Sequence, residues 1–313
     1  MPFFSVVIPT FNRASFIAKS VESVLAQDFD DFEVLVIDDG STDNTAEVMR
    51  ERFAADARVK YFRQPNMERG AARNHGFRKA LGQYVLFLDS DDLMHSDHLR
   101  TLMEVIETHP GINFLATKFR ILRNGDAQSS DLQNIKEGWH GLNLFLKGAP
   151  VGSVVCVNKS NPNLKLFEED RSYAILEDWM FLVQNLARDR IYIRDEFTVS
   201  VIDHAGRSMR SDNQAIINKK LLARDWIIKN IELTEDQIRT LDGYAYQFCA
   251  IHSYLDGNKK KALGYLFRAT QRTGFDAKLA TLSAKALVGY EFIQKIKHAS
   301  AKINFRRARN ADK

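Results

Sequence analysis

Residues 84–88, Tyr-Val-Leu-Phe-Leu, form a short apolar run that ends on Asp89-Ser90-Asp91-Asp92. A run of this length and character reads as a strand buried on both faces. If the chain stays extended through Ser90, Asp89 and Asp91 point to the same side, because side chains alternate along a strand. Carboxylates that close repel one another unless a cation lies among them. Oxygen-only ligands of this kind suit Mg²⁺ or Mn²⁺, above all where a substrate phosphate completes the shell. The competing reading is an Asp-rich surface turn that caps the helix after it.

The same pattern, an apolar run ending in polar residues, recurs upstream. Phe3 to Ile8 is a β-rich run closed by Pro9, and Phe32 to Ile37 runs into Asp38-Asp39-Gly40-Ser41. Helical periodicity fills the intervals. Asn12 is placed to cap a helix carrying Phe16, Ile17, Val21, Val24 and Leu25, and Ser41 or Thr42 one carrying Ala46, Val48, Met49 and Phe53. Val59 to Phe62 reads as a third strand, Arg69 to Leu81 as a third helix, and Ser96 to His109 as a fourth helix stopped by Pro110. Alternation of this kind predicts an α/β fold with a doubly wound, mostly parallel sheet. Such sheets bind ligands at the carboxyl ends of their strands. The tips Pro9-Thr10-Phe11-Asn12, Asp38-Asp39 and Asp89-Ser90-Asp91 are therefore expected to converge on one crevice.

That crevice lacks the usual phosphate cradles. No Gly-x-Gly-x-x-Gly follows the first strand and no Gly-Lys-Ser/Thr loop occurs, which disfavours a dinucleotide fold and a P-loop. Phosphates would be held by a metal and by side chains. Phe11 offers a ring for a base, Asp38 or Asp39 an acceptor for a base N–H, and Asp89 an acceptor for ribose hydroxyls. Arg73 and Asn74 lie on the way into the same crevice.

Val-Val-Ile-Pro-Thr-Phe-Asn-Arg (6–13), Val-Ile-Asp-Asp-Gly-Ser-Thr-Asp (36–43), Gly-Ala-Ala-Arg-Asn-His-Gly (70–76) and Leu-Asp-Ser-Asp-Asp (88–92) together resemble the signature set of family 2 glycosyltransferases. The resemblance covers roughly the first 100 residues. It implies a GT-A fold, a nucleotide-diphospho-sugar donor (UDP-linked above others) and a divalent metal, Mn²⁺ or Mg²⁺. It implies base contacts from Phe11 and Asp39, backbone contacts from Pro9 and Thr10, and Arg73 near the base or diphosphate. Asp89 and Ser90 would line the ribose and metal, with Asp91 the direct metal ligand. The implied reaction is transfer with inversion to a glycan or lipid-linked acceptor, in the synthesis of a cell-surface polysaccharide or glycoconjugate. A sugar-1-phosphate nucleotidyltransferase and an inactive nucleotide-sugar binder are the alternatives. The first would want a Gly-rich basic loop where Pro-Thr-Phe-Asn stands.

Beyond residue 110 the expectations are looser. Ile112 to Leu122 reads as a strand turned by 123–126, residues 126–150 as irregular and polar, and Val151 to Asn158 as another strand. Glu177 and Asp178 open a helix with Trp179, Leu182, Val183 and Leu186 on its apolar face. Two acids there suit a helix N-terminus, but they also resemble the family's catalytic pair, with Asp178 as the base. Ser200 to Arg210 reads as a loop in which His204 would reach the metal or bridge to the diphosphate, and Arg207, Ser208 and Arg210 would close over the phosphates. From 211 the chain becomes helical. The expected division is 1–110 for donor binding, 111–210 for the acceptor, and 211–313 as a helical region with a basic tail.

A net charge of +4 is too slight for a general nucleic-acid binder. Cys156 and Cys249, far apart in apolar surroundings, point to a reducing compartment. No run approaches the roughly 20 apolar residues of a spanning helix, and the amino-terminal run reads as a strand and not a leader. A cytoplasmic protein is expected. Residues 287–309 alternate apolar and basic groups, which suits either peripheral contact with the inner face of the cell membrane or a packed helix with a solvated end.

Overall fold

The computed structural model describes residues 1–289 except 124, 129–130, 153 and 205–211. The chain divides into two compact units, residues 1–207 and 208–313.

The first unit is built on one sheet. Its strands are β1 (Phe4–Thr10), β2 (Phe32–Asp38), β3 (Val59–Arg63), β4 (Tyr84–Phe87), β5 (Leu93–Met94), β6 (Phe114–Arg123), β7 (Asp126–Gln128), β8 (Gly138–His140), β9 (Cys156–Asn158) and β10 (Ile191–Ile202). The order is β3-β2-β1-β4-β9-β6-β10-β5, with β7 on β6 and β8 on β10. The first four strands pair in parallel, β9 runs antiparallel between β4 and β6, and β6 and β10 are again parallel. Helices α1 (Ile17–Leu25), α2 (Thr45–Phe53), α3 (Glu68–Lys79) and α4 (His98–Thr108) connect the parallel strands, and α5 (Leu142–Phe145) and α6 (Glu177–Leu186) follow. The fold is thus α/β, with a mostly parallel central sheet and a helical C-terminal region.

Every residue of β1, β2 and β4 is buried, as strands covered by helices on both faces must be. Phe4, Val6, Ile8, Val34, Val36 and Leu86 meet Val21, Val24 and Leu102 of the helices in one apolar core.

Several expectations need correction. Pro9 does not end β1, which continues to Thr10 in register with Asp38. Pairing with β4 has already stopped at Val7, so the missing Pro9 N–H costs no ladder bond. Asn12 does not cap α1. It takes a left-handed φ of 52°, and its side-chain Oδ1 accepts from the backbone N–H groups of Thr42 and Asp43. Residues 126–150 are not irregular but carry β7, a 3₁₀ turn, β8 and α5. Ser200 to Ile202 belong to β10 and not to a loop. Arg194-Asp195-Glu196 masks that strand in the sequence, and its register shifts at that point.

The second unit contains α7 (Asn213–Asn230), α8 (Glu235–Leu255), α9 (Lys259–Thr273) and α10 (Ala277–Val288). Each starts on a capping side chain, from Asp212, Thr234, Asn258 and Asp276, which satisfies N–H groups the helix itself leaves open. Ala250, Ala262, Leu266, Ala269, Leu279 and Ala286 form its core. Among the described residues no helix is long and apolar enough to cross a membrane. The basic tail expected beyond residue 289 lies outside the described residues.

Candidate active site

Parallel pairing lines up the carboxyl ends of β2, β1 and β4. The Asp39 N–H donates to the Thr10 carbonyl at 2.8 Å and the Leu88 N–H to the Val7 carbonyl at 3.0 Å, so all three strand tips open on one edge. Asp38 is consumed there, accepting from the Ser41 N–H at 2.7 Å and from the Tyr61 hydroxyl. Asp39, the other of the two acids that the sequence leaves open, is held by different partners. Its Oδ1 accepts from the Gln64 side-chain amide at 2.8 Å and the Met67 N–H at 2.9 Å. Burial pushes its carboxyl above the usual range, against the pull of those donors. Gly40, at φ 84°, lets this loop lie where a Cβ would stand 3.0 Å from the Asn66 nitrogen. Thr10 is buried with Pro9, whereas the Phe11 ring is 43% exposed and open to stacking.

Residues 89–92 form a turn and not an extended segment, since the Asp92 N–H donates to the Asp89 carbonyl at 3.0 Å. The turn does what extension was expected to do, and adds a third acid. Ligand oxygens of Asp89, Asp91 and Asp92 lie within 4.8 Å of one another. Asp92 Oδ1 accepts from the Ile202 N–H at 3.1 Å, so β10 sets its position. The His204 imidazole Nε2 lies 2.8 Å from Asp91 Oδ2, and Arg13 Nε 3.5 Å from the same oxygen. His204 stacks on Phe16 with ring centroids 4.5 Å apart. Ser90 is buried, its carbonyl accepting from the Ser20 hydroxyl. Oxygen ligands with an imidazole at the margin fit a hard divalent cation.

Arg73 joins this cluster to the start of α6. Its guanidinium has no exposed surface and lies 2.7 Å from Asp89, 2.7 Å from Asp178 and 3.1 Å from Glu177. Arg69, one helical turn earlier, lies 3.4 Å from Glu177. Burial works against the Arg73 charge, but Asp178, Asp89 and Glu177 outweigh it and raise its pKa. Burial pushes the Asp178 carboxyl up to about 7; Arg73 pulls it down, and Glu177 and Asp89 push it further up. Glu177 is 2% exposed and Asp178 21%, so Asp178 is the member of the pair that an incoming group can touch.

Two of the expected site residues are held by the fold. Arg73 is surrounded by three carboxylates in the interior. The Asn74 side chain is 1% exposed. Its amide is spent on the Phe167 backbone and the Glu169 carboxylate, so it braces the 167–169 segment on α3 instead of lining the crevice. Gly70 permits that contact, since a Cβ there would meet the Glu168 carbonyl at 2.4 Å. Arg207, Ser208 and Arg210 lie outside the described residues. Arg13, Arg69 and Gln64 are site neighbours to which the sequence gives no role, and Asp92, present there as the third acid of its run, joins them. Arg69 was findable, since residues four apart share a helix face. Gln64 was not, because only the pairing of β3 with β2 brings it to Asp39.

Residues 5–159 match the family described as Glycosyl transferase family 2. An uncharacterized glycosyltransferase of Rickettsia felis is 36% identical over 141 residues, 45% of this chain and 23% of that protein. The GalNAc(5)-diNAcBac-PP-undecaprenol beta-1,3-glucosyltransferase of Campylobacter jejuni is 42% identical over 106 residues, 33% of this chain and 34% of that protein. The matched stretch thus spans only about a quarter to a third of these relatives' length. The crystal structure of S. aureus TarS 1–349 in complex with UDP-GlcNAc superposes with a TM-score of 0.64 at 21% identity, covering 88% of this chain and 93% of that one, a likeness of fold. Residues 5–159, with their strand-tip motifs and the sheet that aligns them, thus belong to glycosyltransferase family 2.

Proposed function

We propose that this protein transfers a sugar from a nucleotide-diphospho-sugar to an acceptor hydroxyl, with inversion at the anomeric carbon. The observation that carries this reading is the Arg73 guanidinium, which ties the Asp89 carboxylate of the donor edge to the Asp178 carboxylate at the head of α6. Phe11 stacks on the base and Asp39 accepts its N–H. Asp91 and Asp89 would hold a divalent cation, with Asp92 and His204 at its margin, and that cation would offset charge on the leaving diphosphate. Asp178 takes the acceptor proton as the hydroxyl attacks, a role its elevated pKa suits. A single displacement needs one base, and Glu177, too buried to meet an acceptor, shares Arg73 with it.

A panel of UDP-, GDP- and dTDP-sugars, tested by thermal shift with Mn²⁺, Mg²⁺ or chelator, tests donor binding, because ligands that bind only the folded state raise its stability. Release of nucleoside diphosphate in the presence of acceptors then tests transfer. A protein that is not stabilised by any nucleotide sugar, with or without metal, would overturn the proposal.

The Campylobacter relative's name specifies a polyprenyl-diphosphate-linked acceptor. A glycan or lipid-linked acceptor is accordingly the class proposed here, reached by a cytoplasmic enzyme with its basic 287–309 segment on an anionic leaflet. Sedimentation with anionic and neutral vesicles, for the full chain and one ending at residue 289, tests this. Equal, salt-insensitive partitioning of the two would remove the membrane contact.

A further inference from the structure

Asp39 does not stand alone at the base end of the crevice. Its Oδ1 accepts from Gln64 Nε2 at 2.8 Å, and the Gln64 carbonyl Oε1 lies 2.7 Å from His75 Nδ1. The three residues come from three elements: the end of β2, the end of β3 and the middle of α3. The chain of contacts has only one sense. An ionised carboxylate is an acceptor, so Gln64 must turn its nitrogen toward Asp39 and its oxygen toward His75, and His75 must carry its proton on Nδ1. Burial, with Lys79 and Arg78 nearby, holds the His75 pKa below the ordinary value. The ring therefore stays neutral at pH 7 with that tautomer fixed by Gln64.

Two groups are left over. Gln64 Nε2 carries a second N–H with no partner among the described residues, and Asp39, which accepts from the Gln64 amide and from the Met67 and Glu68 N–H groups, retains one of the roughly four lone-pair sites of a carboxylate. The edge thus presents an acceptor beside a donor.

We propose that Gln64 and His75 are positioning residues that hold Asp39 and the Gln64 amide as an acceptor–donor pair matched to an imide edge, and so select uracil or thymine over cytosine. The imide offers an N–H donor beside a C=O acceptor. Cytosine offers the reverse, a ring-nitrogen acceptor beside an amino donor, and would leave both protein groups facing like partners. This inference rests on the nucleotide-sugar reading above and adds to it which residues decide the base. A purely structural tie between β3 and α3 would make no such discrimination.

The test is calorimetric titration of the full chain with UDP, dTDP and CDP in Mn²⁺, for the wild type and for Gln64→Glu, Gln64→Met and His75→Phe. Sites built to hydrogen-bond a ligand reject analogues with the wrong groups strongly, so the wild type is expected to prefer UDP over CDP by about tenfold or more. Gln64→Glu places a second carboxylate against Asp39 and removes the donor, and is expected to bring the two affinities within about threefold. His75→Phe frees the amide to flip and is expected to shrink the preference without abolishing binding. Gln64→Met keeps the volume, and carries the test if Gln64→Glu fails to fold. Melting temperatures near wild type, together with a reduced UDP/CDP ratio, would support the relay. Variants that keep the wild-type ratio, or a wild type that binds UDP and CDP equally, would overturn it and leave the donor reading intact. A wild type that binds none of the nucleotides would remove both.

Discussion

Arg73 Nη1 lies 2.7 Å from Asp178 Oδ1, an ion pair in which the arginine has no exposed surface. The same guanidinium meets Glu177 and Asp89, so this cation neutralises acids from two parts of the sequence some 90 residues apart. Removing one member of a buried ionic cluster leaves the others uncompensated, which typically costs about 3–5 kcal/mol. Arg73→Met is expected to lose stability on that scale in urea unfolding, and Arg73→Lys to lose less, since lysine restores charge without the planar fork. Unfolding midpoints for Arg73→Met equal to wild type would show that the cluster contributes nothing net.

Asp178→Asn keeps the shape of the side chain but takes no proton. Near-normal donor binding is expected, with transfer lowered by about 10²-fold or more, the usual scale for a positioned base. In the wild type the base must be ionised, so the rate should rise with pH through about 7. Transfer by Asp178→Asn within a few-fold of wild type would move the role to another group, with Glu177 the first to examine.

The same shift has a consequence for stability, with a definite sign. The folded-state pKa of Asp178 is raised from 3.8 to about 7. Between those values the native protein binds more protons than the unfolded chain, so this group's contribution falls as pH rises across the window. Asp178→Asn should therefore gain stability relative to wild type above pH 7 and little near pH 4. Stability curves that remain parallel from pH 4 to 8 would contradict the shift.

His98 gives the opposite slope. It is buried, its Nδ1 2.7 Å from the Thr198 hydroxyl, and burial, with His95 adding to it, lowers its pKa from 6.5 to about 3. Here the unfolded chain binds the extra proton between pH 3 and 6.5. Its stabilising effect is complete above 6.5 and is lost as pH falls, by about 1.4 kcal/mol per pH unit inside the window. His98→Gln should flatten the acid side of the stability profile measured by urea unfolding at pH 4 to 7.

Asp91→Ala tests the cation site directly. Calorimetric titration with UDP and Mn²⁺ is expected to lose its metal-dependent component while the melting temperature holds, since Asp91 is partly exposed at the rim of the turn. Unchanged metal-dependent binding would take Asp91 out of the site.

The sequence by itself determined the sheet's parallel half. β1, β2 and β4 are uninterrupted or nearly uninterrupted apolar runs, and a strand covered on both faces leaves that signature locally. It also determined that the chain from about residue 211 is helical, because the helical period is local. The strand tips, and so Asp39, Asp89 and Asp91, followed from parallel order alone. Tertiary structure decided the rest. β10 could not be read because Arg194-Asp195-Glu196 breaks its pattern, and its pairing with β6 through a shifted register is what makes it a strand. Arg73 and Asn74 are adjacent in sequence and look equally placed to meet a ligand. One is enclosed by Asp89, Glu177 and Asp178, and the other is spent on Phe167 and Glu169. Both outcomes depend on where residues about 90 to 105 positions later return to α3, and no local pattern encodes that return. Whether a polar group serves a ligand or the fold is set by which partners reach it first, and those partners come together only when the chain is packed.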